Sequence, residues 1–136
     1  MRRLQTALAL AFITLGCAGL KPPPQLSPIG DIAFYAEKTL VAVESLQHFA
    51  IDGEAAGAIS TNDAKTIIEA TKVAGQAGQD LKRALKAGAS ETAAKNQAVA
   101  AIRSALDSVP KRLSPETAAI VAPYIQTVTT LLEVFS

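Results

Sequence analysis

The residues that could do chemistry concentrate in one short acidic turn, which starts at Asp52 and ends at Asp63. Oxygen-bearing side chains stand there at places one, three and nine of a twelve-residue frame that can surround a Ca²⁺ ion: Asp52, Glu54 and Ser60. Two essential places do not fit the frame. Ala56 at place five has no ligand oxygen, and Asp63 at place twelve is shorter than the glutamate that would bind with both oxygens. The turn therefore predicts no metal.

The same turn has a local explanation that needs no ion. Gly57 is suited to end one helix, and Ile59 can cover the joint between two helices. Ser60 is a favourable N-cap for the next helix, and Asp63 stands three residues later, where a carboxylate can complete a capping box. We therefore predict two helices that are joined between Gly57 and Ser60.

The only histidine, His48, lies four residues from Glu44 on one side and four residues from Asp52 on the other. On a helix these side chains share a face, where imidazole and carboxylate groups could bind a divalent metal weakly. A solvated, charge-paired histidine explains the same spacing, and we prefer that interpretation. The chain has one histidine, one cysteine and no glycine-rich phosphate loop. We therefore predict no metal, no cofactor and no enzymatic activity.

Composition favours one small domain that does not bind nucleic acid. The 136 residues include 13 Lys and Arg against 12 Asp and Glu, and the basic residues are dispersed along the chain. Nucleic-acid-binding proteins instead gather basic residues on one face to neutralise phosphates. A chain of this length is sufficient for one hydrophobic core and too short for two domains.

The first seventeen residues form an export signal that ends at the only cysteine. Arg2 and Arg3 supply a positive start, and an uncharged, mostly apolar run follows from Leu4 to Leu15. As a helix this run would rise about 18 Å, whereas a membrane-spanning helix needs roughly 20 residues. We therefore predict that residues 1–16 are a cleaved signal peptide outside the folded domain.

The residues around the cysteine carry a family resemblance. The stretch Ile13-Thr14-Leu15-Gly16-Cys17 resembles the lipobox of bacterial lipoprotein precursors, with Thr14 where that family prefers leucine. The resemblance implies cleavage before Cys17 and lipid attachment at Cys17, which would explain a lone cysteine in an exported protein. By resemblance to Gram-negative lipoproteins, Ala18 rather than aspartate after the cysteine implies sorting to the outer membrane, facing the periplasm. The alternative is ordinary secretion, with cleavage after Ala18 and a soluble mature chain that is periplasmic or secreted.

Residues 17–29 contain the lipid-attachment cysteine and a proline-rich tether. Four of the eight residues from Lys21 to Pro28 are prolines, which favour an extended chain that rises about 3.1 Å per residue. Such a tether could hold the following domain roughly 30 Å from a membrane surface. A disordered N-terminal segment without a spacer role is the alternative.

From residue 30 to residue 136, apolar residues recur at helical spacing, and we predict no strand. The first helix, over residues 31–55, carries Phe34 and Val41 on the side opposite its main apolar stripe. Such a pair is either covered by a neighbouring helix or the tether, or offered to a partner. We expect coverage. The main stripe consists of Ile32, Ala36, Leu40, Val43, Leu46 and Ala50.

The second and third helices are bounded by residues with known end preferences. The second helix contains Gly75 and Gly78, which each cost about 1 kcal/mol relative to alanine, so their small size predicts close helix contact. Gly88 ends this helix in a left-handed conformation. Ser90 is the N-cap of the third helix, and Pro110 stops it.

The fourth helix opens at Ser114-Pro115 and is uncharged from Thr117 to Leu132. An uncharged helix of this kind predicts a central position with packing on several sides, and Pro123 predicts a kink or a division. Short connections between successive amphipathic helices favour antiparallel neighbours. The predicted fold is therefore all-α, a small up-and-down bundle of about four antiparallel helices after the signal peptide and tether.

These features predict a non-enzymatic envelope lipoprotein with a structural or protein-interaction role. Its predicted partners are the membrane, through a lipid on Cys17, and another envelope protein. Phe34, Tyr35 and Val41 on the first helix are the candidate contact residues.

Two alternatives to this function stay open. One is a periplasmic or secreted bundle that holds a small apolar ligand between its helices, where the small residues of the second helix leave space opposite Pro123 and Tyr124. The other is a lysis-associated lipoprotein of a phage or prophage, which the chain resembles in size, signal and proline-rich tether.

Overall fold

The computed structural model describes residues 28–135, with side chains from residue 31 to residue 134. This part of the chain forms four long helices and one short one, and it contains no strand. The predicted all-α bundle of antiparallel helices is therefore confirmed. The elements are α1 (Pro28–Ala55), α2 (Thr61–Lys86), α3 (Glu91–Asp107), α4 (Val109–Arg112) and α5 (Pro115–Phe135).

Helix α1 starts at Pro28, three residues before the predicted start at Asp31. Proline is favourable at the first position of a helix because its missing N–H has no partner within the helix there. Pro28 and Ile29, which were predicted to belong to the tether, are helical.

The ends of α2 and α3 follow the local residue preferences. Ser60 caps α2, since its side chain accepts a hydrogen bond from the N–H of Asp63, and Ser90 caps α3 in the same way. Gly57 and Gly88 have positive φ angles of 72° and 77° in the turns after α1 and α2, a conformation that strains other residues. These four predictions from the sequence are confirmed.

The core consists of one apolar stripe from each long helix. The α1 stripe is confirmed, because Leu46 and Ala50 are fully buried and Ala36, Leu40 and Val43 nearly so. Helix α2 packs most extensively against α1 and α3, whereas α5 packs mainly against α1. The other long helices add Ile67, Ala74, Leu81, Ile102, Leu106, Val121, Val128 and Leu132 to this core.

Small residues on α2 allow a close approach to α1. A Cβ atom on Gly78 would lie 2.6 Å from Cδ2 of Leu40, whereas a Cβ atom on Gly75 would meet nothing within 4 Å. The predicted close contact is therefore confirmed at Gly78 and wrong at Gly75. On the other side of α1 larger groups make the contact, because the rings of Phe49 and Tyr124 lie 5.0 Å apart.

Helix α5 differs from the prediction in two respects. It continues without interruption through Pro123, so of the two predicted outcomes, a kink or a division, the division does not occur. It also buries one broad face rather than several sides, since Ala119, Ala122 and Gln126 are exposed. The reason is that one helix, α1, is its principal neighbour.

By length and composition, α5 is also the one helix in the described chain that is apolar enough to cross a membrane. The window from Pro115 to Val134 meets this test, and 33% of it is buried inside the bundle. Core helices of soluble proteins pass the same test, and α5 contributes Val121, Tyr124 and Val128 to the core.

The sequence did not predict the short helix α4. Pro110 occupies the second position of this four-residue helix, so the residue that was expected to stop α3 instead helps to begin α4. Helix α3 itself ends at Asp107. The buried side chain of Val109 connects α4 to the core.

Candidate functional site

The predicted contact residues lie on the N-terminal half of α1. Phe34 is half-buried, and its ring meets the ring of Tyr35 edge to face, with centroids 5.4 Å apart. The ammonium nitrogen of Lys38 lies 5.5 Å from the centroid of the Phe34 ring, within the range of a cation–π contact. Lys38 stands one helical turn after Phe34, so the i, i+4 spacing could have indicated this pair.

Tyr35 faces a different direction from the other two candidates. It is half-buried and packs against the hydrophobic core. Its carbonyl oxygen also accepts a hydrogen bond of 2.8 Å from the hydroxyl of Thr39, which is buried. The structure therefore places Tyr35 at the edge of the core.

Val41 is 52% exposed, so none of the described helices covers it. The tether, the other expected cover, lies outside the described residues as far as Ser27. Val41 stands seven residues from Phe34 and seven from His48, a spacing of about two turns that puts the three on one side of α1. Glu44 and His48 are exposed beside it. We call Phe34, Lys38, Val41, Glu44 and His48 the outer α1 face.

The acidic turn does not assemble its carboxylates. Asp52 is exposed and Glu54 is half-buried, whereas Asp63 is buried and directed elsewhere. Among the described residues, no group of three or more His, Cys, Asp and Glu side chains lies close enough to hold a metal ion. His48 is exposed, and within residues 31–134 no ion pair joins it to Glu44 or Asp52.

The carboxylate of Asp63 joins two distant parts of the chain. Its Oδ2 accepts a hydrogen bond of 2.6 Å from the hydroxyl of Ser114, and its Oδ1 accepts one of 3.2 Å from the Ser114 backbone N–H. The hydroxyl of Thr117 lies 3.0 Å from that of Ser114. Asp63 is only 4% exposed. The predicted capping box is therefore half right: Ser60 caps α2, but the Asp63 carboxylate binds the residue that precedes α5.

The electrostatics of this cluster do not favour catalysis. The hydrogen bond from the Ser114 hydroxyl is the largest effect that lowers the pKa of Asp63 below its ordinary value of 3.8, and burial opposes it. A carboxylate with a lowered pKa is a weak base, so it cannot activate Ser114 as a nucleophile near neutral pH. Its evident role is to hold the start of α5 against α2.

One serine–lysine pattern with catalytic precedent elsewhere, Ser108-Val-Pro-Lys111, also lies in the described chain. The Ser108 hydroxyl donates to the carbonyl oxygen of Ala105 at 3.4 Å, and both Ser108 and Lys111 are exposed. No hydrogen bond joins these two side chains within residues 31–134. The pattern therefore has no catalytic geometry.

The space predicted to hold an apolar ligand lies between the small residues of α2 and Tyr124 of α5. Side chains of α1 occupy both ends of it. Leu40 fills the volume beside Gly78, because a Cβ atom there would also lie 3.0 Å from Cγ of Leu40. Tyr124, on the opposite helix, is buried against Phe49. Gly78 and Tyr124 are thus each packed against a side chain of α1.

The predicted signal peptide, the predicted lipid-attachment residue Cys17 and the predicted tether as far as Ser27 lie outside the described residues. The class of protein that the described part defines is a small four-helix bundle whose outer α1 face is exposed at Val41, Glu44 and His48. No protein-family model matches the chain, and comparisons with curated proteins and with solved structures find no significant match.

Proposed function

We propose that this protein is a non-enzymatic lipoprotein of the bacterial cell envelope, whose helical domain binds another envelope protein. In this proposal the mature chain begins at Cys17, is lipidated there, and faces the periplasm from the outer membrane. The proline-rich tether then connects the lipid to α1.

The observation that carries the proposal is the order of residues from Met1 to Cys17. A positive start, an apolar run and a small residue before the only cysteine are the features of a lipoprotein signal. Several acyl chains on one cysteine hold a protein to a membrane far more firmly than a single chain does.

The outer α1 face supports the interaction role. Val41 is the most exposed large apolar residue on α1, and Lys38 and Phe34 lie about one and two turns before it on the same side. Partner surfaces commonly combine an aromatic anchor with apolar and charged neighbours.

Substitution of Cys17 tests the anchor. We expect the native chain to lose residues 1–16, to gain the mass of acyl chains and to sediment with membranes, whereas Cys17→Ser does none of these. Intact-mass measurement and membrane fractionation report the two properties separately. A mature native chain that is soluble and begins at Gly19 would overturn the anchor.

Paired valine substitutions test the contact surface. We expect Val41→Asp to reduce cross-linking to an envelope partner at least tenfold, because a charge replaces the exposed apolar centre of the outer α1 face. Val73→Asp is the matched control, since Val73 on α2 is 57% exposed and lies outside that face. Equal losses in both variants, or a loss in neither, would remove the outer α1 face from the proposal.

A further inference from the structure

We propose that Asp63 is an acid-sensitive latch, which holds the N-terminal end of α5 against α2 and whose protonation frees that end while α1, α2 and α3 stay packed. This inference is independent of the lipid anchor and of the outer α1 face.

The latch consists of one residue, Asp63, that lies in the first turn of α2 and binds the residue immediately before α5. The Asp63 N–H donates to Ser60 at 3.1 Å, which fixes the residue in the first turn of α2. Both of its carboxylate oxygens then accept hydrogen bonds from Ser114, the residue immediately before α5 and 51 positions along the chain. Two bonds from one residue fix both the position and the direction of the chain as it enters α5.

The first turn of α5 has little else to hold it. Ser114, Pro115 and Glu116 are exposed, and Thr117 is the first buried residue of the helix. By contrast, α2 is close-packed on α1, with Ala74 fully buried and Gly78 against Leu40. Opening is therefore expected at the α4–α5 joint before it reaches the other helices.

Charged side chains do not control the titration of Asp63. Those nearest the joint are exposed on each element that meets there: Lys65 on α2, Lys111 and Arg112 on α4, and Glu116 on α5. Asp52 near the end of α1 is exposed as well, and none of these forms an ion pair with Asp63. Hydrogen bonds from Ser114 and Thr117 are what stabilise the charged form.

The direction of the pH effect follows from the two states of the latch. When it is closed, the pKa of Asp63 is below 3.8, and when it is open the carboxyl returns to its ordinary value. The contribution of the latch is therefore complete above about pH 5, where the carboxyl is ionised in both states, and is lost as the pH falls through the lower value of the closed state. Each unit of difference between the two values changes the opening equilibrium about tenfold.

Amide hydrogen exchange on the mature protein, corrected for intrinsic rates, tests the latch. The informative amides are those of Ala118, which donates to the Ser114 carbonyl oxygen at 2.9 Å, and Val121. We expect their protection factors to fall about tenfold between pH 6 and pH 2.5, while those of Ile67 and Ala70 in α2 change less than twofold. Equal losses in α2 and α5, or no loss in α5, would overturn the proposal.

Three variants separate the latch from general acid sensitivity. Asp63→Asn should show low protection in α5 at both pH values, whereas Asp80→Asn should behave like the native protein, because the exposed Asp80 bonds only within α2. Ser114→Ala removes the 2.6 Å bond and leaves the carboxylate in place, so it should reduce the pH effect severalfold even if Asp63→Asn does not fold. A native-sized pH effect in Asp63→Asn or Ser114→Ala would contradict the proposal.

Discussion

Leu46→Ala is expected to lower the free energy of unfolding by about 3–5 kcal/mol, the upper part of the range for a buried leucine. Leu46 is 0% exposed in the C-terminal half of α1, the helix against which both α2 and α5 pack. Its removal takes apolar atoms out of the core and leaves a cavity that these helices cannot close without breaking other contacts. Because small domains are stable by only about 5–15 kcal/mol, this one substitution would remove a large share of the total.

Urea denaturation measures this loss as a lower transition midpoint with an unchanged slope. Val41→Ala is the control on the same helix, since Val41 is 52% exposed and its substitution should change stability by less than about 0.5 kcal/mol. Equal losses of the free energy of unfolding in the two variants would mean that the Leu46 side of α1 does not face the core.

Residue spacing predicted most of the fold because the helices of this chain are strongly periodic. The buried residues of α1 recur every three or four positions, and local signals marked the helix ends at Ser60, Gly88 and Ser90. Such signals act within a few residues of one another, so a single sequence contains all the information that they need.

Features that depend on distant residues were not predictable in this way. The Asp63 carboxylate could satisfy the N–H groups of its own helix or bind another segment, and nothing near it indicates Ser114, 51 positions away. Pro110 is compatible with stopping α3 and with starting α4, and only the packing of Val109 distinguishes the two. Local residue preferences are compatible with either arrangement, and tertiary contacts determine which one forms.

The candidate contact residues illustrate the same division. Spacing correctly put Phe34 and Val41 on the side of α1 away from the main stripe, but it could not tell whether another helix covers that side. Tyr35 follows Phe34 directly, and a shift of one residue turns a side chain by about 100° around a helix. That rotation is enough to bring Tyr35 against the core while Val41 is exposed.

Alanine substitution at the two interior glycines of α2 is expected to change stability in opposite directions. Gly75→Ala should raise the free energy of unfolding by about 0.5–1 kcal/mol, because alanine favours the helix and nothing lies within 4 Å of the new Cβ atom. Gly78→Ala should lower it by about 1–2 kcal/mol, since the new Cβ atom would lie 2.6 Å from Leu40 and overpacking outweighs helix propensity.

Because the expected changes in the free energy of unfolding have opposite signs, this pair of substitutions tests whether α1 and α2 are in close contact at Gly78. Both substitutions add one methyl group to the same helix, three residues apart, so effects of alanine on the unfolded chain largely cancel in the comparison. Leu40 is 5% exposed, and its buried position limits how far it can move away from the added group. The combination of Gly78→Ala with Leu40→Ala completes the cycle: the cost of the methyl group should disappear once Leu40 is shortened. If Gly78→Ala stabilises the protein as much as Gly75→Ala does, the two helices are not in close contact at this point.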